Sequence, residues 1–183
     1  MTAKNTSNKT AKTAKAKAKT KTAAAKTKQR VFLVVVDECP ELHQALYFAG
    51  KRAKEVNGRV DLLRCVSTSS EFKHWVGVGA LMIEEARQDA EEMLTDASET
   101  LYEITGKRPI IHLREGDPEV EVIKLIDEVP EISVLVLGAN TSGENTGPLI
   151  GFLTGRGAGQ CRVPITIVPG NLSDEALDDV TDA

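Results

Sequence analysis

Residues 30–40, Arg30-Val-Phe-Leu-Val-Val-Val-Asp37-Glu-Cys-Pro40, contain the most informative pattern in the sequence. The run from 31 to 36 is uncharged and rich in β-branched residues, which indicates a strand buried on both faces of a sheet. The run stops at Asp37, and Pro40 suits the first turn of a helix. We therefore expect a strand that is followed directly by a helix.

The helix predicted after Pro40 has one apolar face and ends at Gly58, the usual position of a glycine stop. A second, longer helix is expected over 79–105. Its apolar stripe follows the 3- and 4-residue spacing of a helix face. The members of this stripe are Met82, Ala86, Ala90, Met93, Ala97, Leu101 and Ile104.

Strands and helices alternate along the rest of the chain. A third helix is expected from Asp117-Pro118, a capping residue followed by proline, to about residue 129, and a short one within 138–159. Further strands are expected over 60–66, 110–113, 132–137 and 163–168. Such an alternation predicts an α/β fold: an open five-stranded parallel sheet, doubly wound, with helices on both faces. In this architecture ligands bind beyond the carboxyl ends of the strands, where the strand order reverses.

Charge divides the chain into three parts. Residues 1–30 contain nine lysines, Arg30 and no acid, whereas the remaining 153 residues carry 13 basic and 27 acidic side chains. Residues 1–29 are almost entirely Ala, Thr, Lys, Asn and Ser, so we expect a disordered basic tail. Residues 30–170 should form the globular domain. Residues 171–183, with five acids, are expected to be an acidic tail that frays.

The composition also bears on localisation. The longest apolar run has six residues, whereas a membrane span needs about 20 and a secretory signal about 7–15. The three cysteines form no Cys-x2-Cys pair, which fits a reducing compartment. We therefore expect a cytoplasmic protein without a membrane span.

Two places beyond the predicted strand ends are candidate ligand contacts. Asp37 can accept hydrogen bonds from a ligand or can cap the helix that follows. Gly138 begins a glycine-rich stretch that extends to Gly159, which can cradle phosphate through backbone N–H groups or can form a surface loop. The residues alone leave both alternatives open.

Three segments resemble the universal stress protein family over residues 30–170. They are Val-Val-Val-Asp37-Glu-Cys-Pro-Glu, Leu62-Leu-Arg-Cys-Val66 and Val163-Pro-Ile-Thr-Ile-Val-Pro169. The resemblance implies a Rossmann-like fold of the adenine nucleotide alpha hydrolase type, with strand order 3-2-1-4-5. It also implies that Asp37 holds the adenosine end of a nucleotide and that the backbone of Val66 contacts adenine. A homodimer formed through the last strand is a further implication.

The family's phosphate segment is Gly-x2-Gly-x9-Gly-(Ser/Thr), and this chain departs from it. Counting from Gly138 gives Thr141 at the second glycine, Gly151 at the third, and Phe152 at the hydroxyl position. A phenyl ring cannot donate a hydrogen bond to phosphate, and such a bond to a charged group is worth about 1.5–3 kcal/mol. A register shifted to Gly155-Arg156 restores a cation and is the alternative. The candidate nucleotide-binding residues are Asp37, Val66, Gly138, Thr141, Gly151 and Phe152.

Three functions follow from these features. The first is a stress-response binding or signalling module that holds ATP or AMP weakly or not at all. The second is a nucleic-acid-associated protein that uses its basic tail for non-specific contacts with phosphates. The third is a nucleotide hydrolase. Because the three histidines are scattered and no catalytic or metal-ligating constellation is evident, we expect a protein that is not an enzyme.

Overall fold

The structure is a computed structural model that describes residues 29–67, 78–141, 143 and 147–182. Residues 1–28 lie outside this part of the chain, so the predicted disorder of the basic tail stays a prediction. The strands are β1 (Val31–Val35), β2 (Arg59–Val66), β3 (Ile110–Glu115), β4 (Ile132–Ala139) and β5 (Ile165–Pro169). The helices are α1 (Leu42–Glu55), α2 (Val78–Thr105), α3 (Pro118–Glu128), α4 (Pro148–Thr154) and α5 (Asp174–Thr181).

The five strands form one sheet in the order β3-β2-β1-β4-β5. Every neighbouring pair is parallel, and Phe32 of β1 lies between Val60 of β2 and Val134 of β4. The predicted fold class and strand order are therefore confirmed. The order reverses between β1 and β4, so the loops that leave these two strands diverge to opposite faces and open a crevice at their carboxyl ends.

The central strand β1 is covered on both faces. Leu33 faces a cluster that includes residues of α3 and α4, whereas Val34 faces a cluster that includes residues of α1, α2 and α5. Both side chains have no exposed surface. The uncharged β-branched run was therefore correctly interpreted as a strand that is buried on both sides.

The apolar stripe of α2 was predicted to begin too early. Met82 and Ala86 are exposed, and the buried face begins at Ala90 and includes Leu94, which the predicted stripe omits. The reason is length: 28 residues of helix span about 42 Å, whereas the eight residues of β2 span about 26 Å. The first turns of α2 therefore extend past the sheet.

The expectation that residues 171–183 fray is wrong, because they contain α5. Ser173 caps this helix by accepting a hydrogen bond from the backbone N–H of Ala176. Leu177 is buried in the same cluster as α1 and α2. Asp178 forms an ion pair with Lys51 of α1 at 2.7 Å and accepts a hydrogen bond from Tyr47. The acidic segment is therefore a helix that binds to α1 through these contacts, and not a solvated tail. Within the described residues, no helix combines the length and the apolarity that crossing a bilayer requires.

Candidate functional site

A cleft of about 670 Å³ lies at the carboxyl ends of β1, β2 and β4. Asp37, which follows β1, and Gly138, which is part of β4, line this same cleft. Its walls also include apolar side chains from both strands and from α4, which suit a planar aromatic ligand. The apolar lining residues are Val35, Val36, Leu137, Pro148, Leu149 and Ile150.

Asp37 is exposed at the cleft and does not cap α1. The helix begins at Leu42 with Glu41 as its N-cap residue, and no side chain among the described residues caps it. The carboxylate of Asp37 instead accepts a hydrogen bond from the thiol of Cys39, with Sγ 2.7 Å from Oδ1. Of the two roles that the sequence left open, capping is not observed, and contact with a ligand stays a prediction.

The thiol of Cys39 stays protonated beside this carboxylate. Burial, followed by the hydrogen bond to Asp37, raises the pKa of Cys39 to about 12. At neutral pH the S–H group is therefore available as a donor, although a thiol is a weak one, to Oδ1 of Asp37.

Gly138 is required by close packing. A Cβ atom at this position would lie 2.6 Å from the carbonyl oxygen of Glu41, which is backbone that cannot easily move. Gly170 is in similar contact with Glu41, since its Cβ would lie 2.0 Å from Cγ. The two glycines let the start of α1 approach β4 and β5, which places Asp37 at the crevice.

Val66 is buried at the end of β2, and its carbonyl oxygen accepts a hydrogen bond from the N–H of Gly116 at 2.9 Å. It is not one of the residues that line the cleft, although its neighbours Cys65 and Ser67 are. A backbone contact between Val66 and adenine therefore stays a prediction.

The structure does not bring the other predicted phosphate residues to the cleft lining. Thr141 is exposed beyond β4. Gly151 lies in α4, where an added Cβ would meet no atom of the described residues within 4 Å, whereas Phe152 packs against the α3–α4 side of the core. An added Cβ at Gly157 would lie 2.4 Å from the ring of Phe152. Residues 142 and 144–146 lie outside the described part of the chain, so phosphate contacts in this segment stay a prediction.

Three charged residues of the cleft were missed as candidates. Arg64 lines its floor with only 16% of its side chain exposed, donating to Glu38 Oε1 at 2.7 Å and to the carbonyl of Val36 at 3.3 Å. Asp117 and Glu119, at the start of α3, line the opposite wall. Arginine in the middle of a strand gives no sequence signal of its own, and Asp117 had been interpreted only as a helix cap.

The backbone N–H groups in the first turn of α3 are already bonded within the chain. Pro118 lacks an N–H group, and the N–H of Glu119 is bonded to Asp117 Oδ1 at 2.9 Å. The N–H groups of Val120 and Glu121 are both bonded to the carbonyl of Asp117. The helix start therefore presents carboxylates to the cleft where other folds present free N–H groups to anions.

The charge of the cleft favours hydrogen-bond donors over anions. Among the described lining residues, Asp37, Asp117 and Glu119 are acidic and Arg64 is the one cation. Glu119 is itself paired with Arg156, with Oε2 3.0 Å from Nη2. The guanidinium of Arg64 is already paired with Glu38. Hydroxyl and amino groups of a ligand can donate to these carboxylates, whereas added negative charge is repelled. The described residues include no group of three or more side chains that could hold a metal ion.

Comparison with known proteins assigns the architecture to a family. A family model described as the universal stress protein family matches residues 28–169. No curated protein matches the sequence. Among solved structures, the fold is similar to the universal stress protein UspA from Lactobacillus plantarum, with a TM-score of 0.63 and 15% identity over 76% of this chain and 97% of that one.

Two other similar structures were solved with bound ligands. A universal stress protein from Archaeoglobus fulgidus in complex with dAMP has a TM-score of 0.56 and 15% identity, covering 76% of this chain and 97% of that chain. A universal stress protein in complex with cAMP has a TM-score of 0.55 and 16% identity, covering 78% and 98%. At these identities the likeness shows the fold alone.

Proposed function

The chain belongs to the universal stress protein family, and we propose that it is a binding module that holds an adenine nucleoside or nucleotide in the cleft beside Asp37. The observation that carries the proposal is the convergence of Asp37 and Gly138, from the two strands where the sheet order reverses, on one cleft of about 670 Å³. The dAMP and cAMP complexes of proteins with this fold support the same class of ligand.

Each part of such a ligand has a suitable partner. The apolar side chains of Val35, Leu137 and Ile150 suit the faces of a base. The carboxylate of Asp37, which accepts a hydrogen bond from the thiol of Cys39, suits the ribose hydroxyls. We expect adenosine and AMP to bind better than ATP, because further phosphates would face the carboxylates of the cleft.

The size of the preference for AMP over ATP can be estimated from the repulsion between like charges. Two like charges about 8 Å apart interact by about 2 kcal/mol at an effective dielectric constant of about 20. One unfavourable pair of this kind weakens binding by roughly 30-fold.

Binding without catalysis is the activity that we propose. Among the described cleft residues there is no lysine or histidine, and the guanidinium of Arg64 is engaged by Glu38. Phosphoryl chemistry needs charge stabilisation and a residue that positions the nucleophile. The described lining therefore gives the hydrolase alternative no support, and we place the protein in a cytoplasmic stress response on the basis of its family.

A homodimer through β5 is part of the proposal. β5 is an edge strand, and Ile167 in its middle has 37% of its surface exposed. Pairing between two such edges would bury the side chain and satisfy the open backbone groups. We expect Ile167→Lys to convert a dimer to a monomer in light scattering, whereas Ile110→Lys on the opposite edge should leave the mass unchanged.

Calorimetric titration tests the ligand proposal. We expect adenosine and AMP to bind the wild-type chain and to raise its melting temperature. Stabilisation at 100 times Kd is about 2.7 kcal/mol, which corresponds to roughly 5–11 °C for a domain of this size. Asp37→Ala should weaken binding by about 10- to 150-fold, the value of one charged hydrogen bond.

The matched control is Asp89→Asn, which removes one exposed carboxylate from α2 outside the cleft. It should bind adenosine as the wild type does. Absence of binding by adenosine, AMP and ATP alike would contradict the proposed function, as would equal affinities of Asp37→Ala and wild type.

A further inference from the structure

The two acidic residues that follow β1 have different partners. Asp37 accepts a hydrogen bond from the thiol of Cys39 and lines the cleft. Glu38, the next residue, accepts a hydrogen bond from Arg64, with Oε1 2.7 Å from Nη2. The first carboxylate therefore faces the cleft, whereas the second neutralises a cation of the chain itself.

Arg64 holds a positive charge in a place where water solvates it poorly. An arginine guanidinium is charged at every physiological pH, and only 16% of this side chain is exposed. Its Nη1 donates to the carbonyl oxygen of Val36 at 3.3 Å, which leaves the charge in place. Its Nε is buried and has no hydrogen-bond partner among the described residues. A guanidinium in this setting attracts whichever anion can reach it.

Glu38 reaches Arg64 while its own side chain remains largely in solvent. The side chain of Glu38 is 77% exposed, and it is not one of the residues that line the cleft, whereas Arg64 is. Stability alone explains the pair poorly, because an ion pair with one well-exposed partner contributes little to it. The pair also neutralises the one cation among the described residues of the cleft lining.

Other donors beside the cleft are occupied as well. Arg156 pairs with Glu119 at 3.0 Å. In the first turn of α3, the N–H groups of residues 119–121 are bonded to Asp117. Among the described lining residues and their direct ion-pair partners, four carboxylates face two guanidiniums, which gives a net charge of −2. A phosphate group in this cleft would therefore meet carboxylates whose charge is not compensated.

We propose that Glu38 is a specificity-determining residue, which reserves the cleft for a neutral nucleoside by occupying the cation that the phosphate of a nucleotide would need. This inference rests on the proposed function and narrows its preferred ligand to nucleosides. A phosphate must displace Glu38 from Arg64 before it gains an ion pair there. A nucleoside needs no such exchange, because its hydroxyl and amino groups donate hydrogen bonds to carboxylates.

Calorimetric titration of the full-length chain with adenosine and with AMP tests the inference. Unit charges about 8–12 Å apart, at an effective dielectric constant of about 20, change an affinity by about 10- to 30-fold. We therefore expect adenosine to bind the wild-type chain at least about 10-fold more tightly than AMP. In Glu38→Gln, the ratio of AMP affinity to adenosine affinity should rise by about the same factor, because Arg64 is then free to pair with the phosphate.

The matched control is Glu115→Gln. Glu115 ends β3 at the same end of the sheet, is exposed, and is not a residue of the cleft lining. Its replacement removes the same charge without releasing Arg64. The affinity ratio should then rise by at most about threefold, the effect of a unit charge about 8 Å away in water. Equal gains in Glu38→Gln and Glu115→Gln would overturn the inference.

A double-mutant cycle separates exchange at Arg64 from simple removal of charge. In an Arg64→Gln background, Glu38→Gln should raise the affinity ratio no more than the control does, because no guanidinium remains to be released. Equal gains in both backgrounds would overturn the inference. Melting curves by circular dichroism show which variants fold. Should Arg64→Gln fail to fold, the comparison of Glu38→Gln with Glu115→Gln decides, since both side chains are exposed.

The role of Glu38 and the proposed function fail in different ways. If the wild-type chain binds AMP as tightly as adenosine or more tightly, the role of Glu38 is wrong, whereas the cleft remains an adenine site. If neither adenosine nor AMP binds, the proposed function itself is wrong, and the role of Glu38 is wrong with it.

Discussion

Gly138→Ala should destabilise the protein through one identifiable contact. The added methyl group would lie 2.6 Å from the carbonyl oxygen of Glu41, 3.0 Å from its carbonyl carbon and 3.1 Å from its Cβ. Real Cβ atoms do not approach backbone so closely, so α1 must shift away from β4. Forcing a methyl group into a closely packed site costs typically about 1–3 kcal/mol. For a domain of this size, each kcal/mol lowers Tm by about 2–4 °C.

Urea denaturation followed by circular dichroism measures the effect, and Gly151→Ala is the matched control. Within the part of the chain that the structure describes, an added Cβ at Gly151 meets no atom within 4 Å, and the residue lies in α4. Replacing glycine by alanine in a helix should be neutral or stabilise by up to about 1 kcal/mol. If Gly138→Ala unfolds at the wild-type urea concentration, the close approach of α1 to β4 is wrong, and with it the placement of Asp37 at the crevice.

Three further predictions concern stability. Arg162→Ala should lower the unfolding free energy by about 1–3 kcal/mol, because the guanidinium donates to three main-chain carbonyls around the end of α3; an unchanged urea midpoint would contradict this bridging role. Leu177→Ala should lower the unfolding free energy by about 2–5 kcal/mol, since the side chain is 1% exposed. An unchanged Tm in thermal melts would mean that α5 does not pack against the domain. Burial raises the pKa of Cys39 to about 12 and that of Cys65 to about 11. The unfolded chain therefore loses these protons at a lower pH than the folded chain does. The unfolding free energy should fall from about pH 9 upward, and more steeply in wild type than in Cys39→Ser. Equal slopes of unfolding free energy against pH in the two proteins would contradict the raised pKa of Cys39.

The fold was predictable because several of its elements carry local signals. The uncharged run from 31 to 36 indicated a central strand, and Asp117-Pro118 marked the start of α3 to the residue. Gly58 was correctly associated with the end of α1. It was expected to be the left-handed residue that stops the helix, but Asn57 takes that conformation. Asn57 adopts the left-handed conformation there, with φ of 49°, and an added Cβ at Gly58 would lie 2.6 Å from the carbonyl oxygen of Arg30.

The site was predictable only in part because its members come from distant segments. Asp37 and Gly138 were predicted as site residues because ligands of open parallel sheets bind beyond the carboxyl ends of the strands. Arg64 was missed because an arginine within a strand has no motif that reveals which face it occupies. The acids of residues 171–183 suggested a solvated tail, because the complementary surface of α1, with Tyr47 and Lys51, is apparent only once the helices are packed.

Amide chemical-shift mapping during a titration with AMP tests the cleft most directly. We expect the largest shifts at Asp37, Ser67, Gly116 and Gly138 around the cleft, and their loss in Asp37→Ala. Shifts confined to residues outside the cleft, or no shifts at millimolar AMP, would contradict the assignment of an adenine ligand to this cleft.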